Sequence, residues 1–229
     1  MTIGIIGAMD EEIAKLMENM TDIKETTVAN CLFAEGELHG KDIVLLKSGI
    51  GKVNAAMAAT IMHERYRPSH VINTGSAGGF ASDMEVGDIV ISSRVVHHDV
   101  DVTAFGYAFG QVPGMPSMFD ADTELISEAI KAAEGMDIRY TEGLIATGDT
   151  FMEDPAKVQE VYKKFPTMLA MEMEAASIAQ VCAQYQVPFV IIRALSDIAG
   201  KESSVSFDAF LEKAADNAAG LIMGIVQEM

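Results

Sequence analysis

The chain has 229 residues, of which 49% are hydrophobic and 22% are charged, a composition typical of a folded globular protein and not of a disordered one. Its formal net charge of −18 argues against binding to a nucleic-acid backbone or to an anionic membrane surface, because like charges repel. Since the acids are scattered and form no tail, we interpret the charge as a solubility feature.

Three further features favour a cytoplasmic protein. The N-terminus has no basic region of the kind that targeting segments carry, and no apolar run approaches the ~20 residues that span a bilayer. Cys31 and Cys182 are too few for a disulfide framework, which indicates a reducing compartment. We expect both cysteines to be buried free thiols.

Apolar strand-like runs alternate with helical patterns along nearly the whole chain. In the first part of the chain, the pattern predicts a strand at 2–8, a helix at 10–19, a hairpin of strands at 28–38 and 42–47, a helix at 51–66 and a strand at 70–74. In the middle, it predicts a small-residue loop at 75–79, one or two strands at 86–100 and a long loop at 101–119. The last part is predicted to contain a helix at 123–133, a strand at 139–147, helices at 155–164 and 174–184, a strand at 187–196 and a helix at 207–226. This alternation predicts a single α/β domain over residues 1–229, a three-layer α/β/α sandwich around a mixed, twisted β-sheet.

Two motifs suggest a cofactor or a metal ion without supporting either. The segment 48–54 follows a strand and opens a helix, as a dinucleotide-binding turn does, but Asn54 stands at the third glycine position and no acid ends the next strand. His97 and Asp99 would share one face of a strand, but no third and fourth ligand appear at a recognisable spacing. We therefore expect no cofactor and no metal.

Acidic residues stand at three places where strand-like or helical patterns begin or end. Glu12 follows the first apolar strand, Asp197 ends a late one, and Glu174 lies where a helical pattern starts. Carboxylates at the ends of strands lie where α/β enzymes place their chemistry, and two of them in different environments can serve as acid and base. Taken singly, Glu12 and Glu174 could instead be acids favoured by helix dipoles, and Asp197 could be a cap.

Six segments, taken in order, carry a resemblance that covers nearly the whole chain. They are Gly4-Ile-Ile-Gly-Ala-Met9, Lys47-Ser-Gly-Ile-Gly-Lys-Val53, Asn73-Thr-Gly-Ser-Ala-Gly-Gly79, Asp101-Val-Thr-Ala-Phe-Gly-Tyr107, Met171-Glu-Met-Glu-Ala175 and Arg193-Ala-Leu-Ser-Asp197. Together they resemble the 5′-methylthioadenosine/S-adenosylhomocysteine nucleosidases of the purine nucleoside phosphorylase-like superfamily. The resemblance implies a nucleoside phosphorylase-like fold and a hydrolase that releases adenine from thio-substituted adenosines.

The resemblance also implies a role for each of the three acids. Asp197 would protonate the purine at N7, which requires a raised pKa, and Glu12 would activate the attacking water from the other side of the sugar. Glu174 would accept hydrogen bonds from both ribose hydroxyls. These roles need no cofactor.

The same resemblance implies a wider set of substrate contacts. Within one subunit, Arg193 and Ser76 would hold Glu12 and the water, and the backbone of the loop with Ala77 and Gly78 would lie near the ligand. Phe151 would stack on the adenine, with Met152 and Ser196 at its edge. Met173 would lie against the ribose, and the 5′-thioether would be surrounded by Met9, Ile50 and Phe207. From the partner subunit of a homodimer, the implied contacts are Val102, Phe105, Tyr107 and Pro113. As alternatives, the apolar side chains could be ordinary core and Arg193 half of a buried ion pair.

Two rival functions remain to be weighed. Phosphorolysis on the same fold needs a phosphate dianion near the first strand-to-helix turn, but residues 8–12 carry three acids and no arginine. Each acid would repel phosphate by ~1–4 kcal/mol at ~4 Å, so water is the expected nucleophile. A non-catalytic nucleoside sensor would need neither Glu12 nor Asp197, and both are present.

Overall fold

The computed structural model describes residues 1–80, 84–136, 138–198 and 203–229, except for the side chains of 203–206 and 208. The strands within these ranges are β1 Thr2–Gly7, β2 Thr21–Val28, β3 Cys31–Leu38, β4 Lys41–Lys47, β5 His70–Asn73, β6 Ser76–Gly79, β7 Ile89–His97, β8 Phe119–Asp120, β9 Tyr140–Thr147, β10 Met168–Glu172 and β11 Phe189–Ile198. The helices are α1 Asp10–Asn19, α2 Lys52–Tyr66, α3 Thr123–Gly135, α4 Pro155–Lys164, α5 Ala175–Tyr185 and α6 Ser203–Glu228.

All these strands belong to one mixed sheet in the order β2-β3-β4-β1-β5-β11-β6-β10-β9-β7-β8. The middle strands β4, β1, β5, β11 and β6 run parallel, whereas β10 turns antiparallel to β6. An additional antiparallel pairing joins β7 to β11, so that β11, β6, β10, β9 and β7 close on themselves. The sheet is thus open at its β2 end and curled into a small barrel towards the other.

Helices cover the sheet on both faces because its central strands are apolar on both sides. In β1, Ile3, Ile5 and Ile6 are all fully buried, the run expected of a parallel strand between two helix layers. Helix α2 packs with α5, while α6 packs with α1, α3 and β11. The predicted α/β class with a mixed central sheet is confirmed.

Most predicted elements are found within a few residues of their predicted bounds, and α1 and α4 match theirs. One prediction is wrong: Ser76–Gly79 is not a loop but β6, which pairs with β10 and β11. Three strands were missed. β8, at the end of the predicted loop 101–119, is only two residues long. β2 is almost entirely exposed and polar, and β10 is only five residues long, so neither shows an apolar run that is long enough to recognise.

Both cysteines are buried and free, as predicted. Burial raises the pKa of the Cys182 thiol to about 12, which leaves it unreactive. In the part of the chain that the structure describes, no helix combines the length and the apolarity needed to cross a membrane.

Candidate active site

A cleft of about 420 Å³ opens beyond the ends of β1, β4 and β10 and alongside β6 and the end of β11. Four carboxylic acids line it, namely Glu12, Glu172, Glu174 and Asp197. Small or polar residues provide another part of the wall, namely Ala8, Ser76, Ala77, Gly78 and Ser196. A cleft of this size accommodates a small ligand such as a nucleoside. None of the described lining residues is a lysine or an arginine.

Glu12 is the most firmly held of these acids. It lies in the first turn of α1, and its carboxylate turns back to accept hydrogen bonds from the backbone N–H of Ala8 (2.7 Å) and Met9 (3.2 Å). The other oxygen accepts from the N–H (2.9 Å) and the hydroxyl (3.2 Å) of Ser76. Glu12 is therefore both an acid in the first turn of a helix and part of the cleft wall, and its role as a base stays a prediction.

Gly75 keeps the space beside Glu12 open. A Cβ atom at this position would lie 2.9 Å from Glu12 Oε1 and 3.1 Å from Arg193 Nη1. Both neighbours are buried in their own hydrogen-bond networks, so neither could move aside cheaply. Close approach of the backbone here requires glycine.

Arg193 lies behind the cleft and is 1% exposed. Its Nη2 donates to Asn73 Oδ1 (2.7 Å) and to Glu172 Oε2 (2.5 Å), and lies 3.9 Å from Glu174 Oε2. Burial alone would lower the pKa of Arg193, but the carboxylates of Glu172 and Glu174 raise it. The guanidinium thus stays charged and offsets part of the negative charge of the cleft.

Glu172 joins Arg193 to the start of α5. Its Oε2 also accepts from the backbone N–H of Glu174 (2.9 Å) and Ala175 (2.8 Å), while its Oε1 accepts from the hydroxyl of Thr147. The Thr147 hydroxyl oxygen in turn accepts from the N–H of Ala176 at 2.9 Å. A buried carboxylate with this many donors is the expected way to end β10 and begin a helix.

Glu174 is also buried, but it accepts fewer hydrogen bonds than Glu12 and Glu172 do. Among the described residues, its one hydrogen-bond donor is the backbone N–H of Gly51, at 2.8 Å from Oε1. Burial, followed by repulsion from Glu172, raises the pKa of Glu174 from 4.5 to about 8. Its carboxyl group is therefore able to carry a proton near neutral pH.

Asp197 is 3% exposed and accepts a hydrogen bond from the Ser196 hydroxyl at 2.9 Å. The register between β11 and β6 shifts between Leu195 and Asp197. In a regular strand, consecutive side chains point to opposite faces, whereas a bulge can turn both to one side. This irregularity explains why Ser196 and Asp197 both line the cleft.

Apolar side chains form the remaining wall. Phe151 and Phe207 meet edge to face, with ring centroids 5.9 Å apart and an interplanar angle of 78°. The other apolar lining residues are Met9, Ile50, Met171 and Met173. Phe151 and Ile50 are 46% and 50% exposed, which leaves a large apolar surface at the rim. The cleft thus combines an acidic floor with an apolar rim.

Comparison with known proteins identifies the family. Residues 2–227 match the model of the phosphorylase superfamily. The chain is 61% identical over 229 residues to a 5′-methylthioadenosine/S-adenosylhomocysteine nucleosidase of Oceanobacillus iheyensis, and 63% identical over 230 residues to one of Anoxybacillus flavithermus. Coverage is 100% of both chains in the first case, and 100% of this chain and 99% of the relative in the second.

A solved structure supports the same family. The nucleosidase of Neisseria meningitidis, in complex with methylthio-immucillin-A, is 48% identical, with a TM-score of 0.98 over 100% of this chain and 99% of that one. The chain belongs to the phosphorylase superfamily. Within it, the chain belongs to the 5′-methylthioadenosine/S-adenosylhomocysteine nucleosidases, and the fold implied by the sequence resemblance is confirmed.

In this member of the nucleosidase family, the cleft gathers most of the residues predicted for the site. The predicted residues that line it are Met9, Glu12, Ile50, Ser76, Ala77, Gly78, Phe151, Met173, Glu174, Ser196, Asp197 and Phe207. Met152 lines a smaller recess of about 40 Å³ that shares Gly78 and Asp197 with the cleft. Arg193 lies behind the cleft wall, with its donors directed to Glu172 and Asn73.

The four residues predicted to act on the neighbouring subunit lie outside this cleft in their own chain. They are Val102, Phe105, Tyr107 and Pro113. Phe105 is 80% exposed and Pro113 is also exposed, while Val102 and Tyr107 are half-buried. Their proposed contact with a partner stays a prediction.

Sequence reasoning for the nucleosidase site missed Glu172, Thr147 and Gly51. Glu172 stands beside two predicted residues, yet its role depends on Arg193 and Thr147, which are distant in sequence. Gly51 contributes a backbone N–H, which leaves no trace in side-chain chemistry. One signal in the sequence points to Thr147: it is the last residue of the predicted strand 139–147, which the structure confirms as the end of β9, beside Glu172 of β10.

Proposed function

We propose that this protein hydrolyses the N-glycosidic bond of 5′-methylthioadenosine and S-adenosylhomocysteine, and also of 5′-deoxyadenosine, releasing adenine and the corresponding ribose product. The observation that carries this proposal is a nucleoside-sized cleft lined by four carboxylic acids and, among the described residues, by no cationic side chain. Such a lining repels a phosphate dianion and accepts water. The names of the relatives support the same substrates.

The reaction needs a proton at the leaving group. As the bond from the ribose C1′ to the purine N9 breaks, its electron pair moves to the purine, and a protonated Asp197 would give its proton to N7. The ribose is left electron-poor and oxocarbenium-like. The buried position of Asp197 in the wall of the cleft supports this role.

The reaction also needs a base on the other side of the sugar. Water would add its oxygen to C1′ and give a proton to Glu12. The four donors around the Glu12 carboxylate hold it in one orientation, which is the property that a positioned base requires. Ser76 holds Glu12 directly, and Arg193 contributes its charge from behind the cleft.

The remaining groups would bind substrate. Glu174 would accept both ribose hydroxyls, with Met173 against the sugar. The adenine contacts that we propose are Phe151 by stacking and Met152, Ser196, Ala77 and Gly78 at the edges of the base. The exposed apolar surface formed with Met9, Ile50 and Phe207 suits a thioether.

We further propose that the chain forms one domain over residues 1–229 and works in the cytoplasm as a homodimer. The loop at 102–113 would complete the neighbouring site, and the exposed side chain of Phe105 supports this role. The reaction would serve methionine salvage and the methyl cycle, without a cofactor.

The test is to incubate the purified protein with 5′-methylthioadenosine, with and without phosphate, and to separate the products by chromatography. We expect adenine and free methylthioribose in phosphate-free buffer. Adenine that appears only with phosphate, together with a sugar 1-phosphate, would instead establish a phosphorylase. No adenine under either condition would refute the proposed reaction.

A further inference from the structure

The position of the Glu174 carboxylate depends on a single backbone group. Among the described residues, only the Gly51 N–H donates to it, at 2.8 Å, and the nearest cation, Arg193 Nη2, is 3.9 Å away. Two sugar hydroxyls can be accepted together only if both carboxylate oxygens have a fixed orientation. Whatever fixes the Gly51 N–H therefore also fixes the carboxylate.

The turn that contains Gly51 is not rigid by itself. Gly49 and Gly51 have φ angles of +81° and +96°, in a region where glycine is favoured and where its backbone is least restrained. Gly51 is the N-cap residue of α2 and has no side chain with which to cap it. The Gly51 N–H shares a peptide unit with the Ile50 carbonyl, which accepts from Asn54 Nδ2 in the first turn of α2 at 2.7 Å. The direction of the N–H therefore depends on the groups that hold the start of α2 in place.

Those groups are Lys52, Asp99 and Asp149, which are joined in a closed ring of hydrogen bonds. Asp149 Oδ1 accepts from the backbone N–H of Lys52 at 2.8 Å, and so caps α2 from another loop. The N–H of Asp149 donates to Asp99 Oδ2 at 3.1 Å, and Asp99 Oδ1 accepts from Lys52 Nζ at 2.5 Å. The ring joins the start of α2, the segment after β7 and the segment after β9.

The ring is charged and partly shielded from solvent. The side chains of Lys52 and Asp99 are 20% and 27% exposed, so their interaction is less screened than that of a surface pair. Burial alone would raise the pKa of Asp99, but the hydrogen bonds from Lys52 and Asp149 lower it. Asp149 Oδ1 would also lie 3.1 Å from a Cβ atom at position 51, so the ring packs directly against Gly51.

We propose that Lys52, Asp99 and Asp149 are positioning residues for Glu174, which hold the Gly51 N–H in the direction that orients this carboxylate towards the ribose. This role rests on the proposed function of Glu174 as the ribose acceptor. The ring touches no reacting atom. It acts through one backbone hydrogen bond, and its effect therefore requires Glu174.

The test measures the binding of the 7-deaza analogue of 5′-methylthioadenosine by calorimetry. This analogue keeps both ribose hydroxyls but lacks the N7 that Asp197 would protonate, so it can bind without being cleaved. Asp149→Ala removes the cap on α2 and is expected to raise the Kd by about fivefold, the size of a lost helix cap. In a Glu174→Gln background, the same change is expected to alter the Kd by less than about twofold.

Three controls separate positioning from general damage. Asp122→Ala removes the side-chain cap of α3, which accepts from Glu124 and Leu125, and should leave the Kd unchanged. Asp149→Asn keeps an oxygen that can accept from Lys52 and should restore binding. Asp99→Ala opens the ring at its other side and, if Asp149→Ala does not fold, should raise the Kd in the same direction.

The outcomes distinguish this role from the proposed reaction. An equal rise in Kd for Asp149→Ala with and without Glu174, or a matching rise in Asp122→Ala, would overturn the positioning role. Adenine has no ribose, and its affinity should stay within about twofold in Asp149→Ala; an equal loss for adenine would also overturn it. A wild-type protein that binds the analogue but does not cleave 5′-methylthioadenosine would refute only the reaction, and one that does not bind it would refute both.

Discussion

Glu12 and Glu174 are the same residue type at similar depth, 5% and 7% exposed, yet they lie in opposite environments. Glu12 accepts from the N–H groups of Ala8, Met9 and Ser76 and from the Ser76 hydroxyl. Glu174 accepts only from Gly51 among the described residues, and its pKa is raised to about 8. Burial alone therefore does not decide what a carboxylate does. The donors around it do, and those missing at Glu174 are the ones that two sugar hydroxyls would provide.

The largest effect is expected from Glu12→Gln. An amide cannot take a proton from water, and its NH₂ group would face one set of the N–H donors that now hold the carboxylate. Turnover should fall by ~10²–10⁴, with KM changed only a few-fold. Adenine release under saturating 5′-methylthioadenosine is the measurement. Asp197→Asn should likewise lower turnover while changing KM only a few-fold. Normal turnover in either variant would show that the replaced residue does not have its proposed catalytic role.

Gly75→Ala should displace the base without removing it. The added methyl group would lie 2.9 Å from Glu12 Oε1. A misplacement of this kind should lower kcat by roughly 10- to 100-fold, provided that the variant folds. Gly135→Ala is the matched control, because a Cβ there meets nothing within 4 Å. Equal kcat values in the two variants would show that Glu12 tolerates displacement.

The pH dependence of nucleoside binding tests the environment of Glu174, the second acid of the comparison. Because the raised pKa of Glu174 is about 8, its carboxyl group must lose a proton before it can accept two hydroxyls. KM for 5′-methylthioadenosine should therefore fall by about fivefold from pH 7 to pH 8, as the ionised fraction of Glu174 rises, and Glu174→Gln should lose this dependence. A KM that is flat over this range in the wild type would contradict the assignment.

The same pKa predicts how the stability of the unliganded protein changes with pH. The folded state holds a proton on Glu174 that the unfolded chain releases above its ordinary pKa of 4.5. The free energy of unfolding should then decrease as pH rises from about 5 to about 8, because the folded state binds more protons. Thermal unfolding at several pH values measures this trend, and Glu174→Gln, which cannot titrate, should weaken it.

The smallest effect is expected at Thr147, which supports Glu172 and the start of α5 from behind the cleft. Thr147→Val leaves Glu172 Oε1 and the Ala176 N–H without this partner, at a cost of about 1–3 kcal/mol in the free energy of unfolding. Thr147→Ser keeps the hydroxyl and is the control. Denaturant unfolding measures the difference. Equal stability of the two variants would show that the hydroxyl is dispensable.

The sequence predicted those parts of the molecule that depend on local pattern. The buried run of β1 and the acid-rich start of α1 place Glu12 correctly, because strand and helix periodicity are local properties. The small residues at 75–79 predict a loop because glycine and alanine have low strand propensity, and only pairing with β10 and β11 makes Ser76–Gly79 a strand.

The hydrogen-bond networks behind the cleft could not be predicted. Arg193 and Glu172 are separated by 21 positions, and Gly51 and Glu174 by 123. Such pairs are brought together by the order of strands in the sheet, which no single segment encodes. The resemblance to a family implies the roles that we propose for Glu174 and Asp197, but not the groups that hold them.

The closure of β7 onto β11 also bears on how copies of this chain can meet. Curling hides the backbone of several strands that would otherwise lie near an edge, and at the far end β8 is only two residues long. At the other end, β2 carries Lys24 and Glu25 and shows a register shift against β3, features that discourage a foreign strand from adding to the sheet. Aggregation through edge-to-edge pairing is therefore disfavoured, which leaves the side chains of helices and loops as the surfaces for self-association.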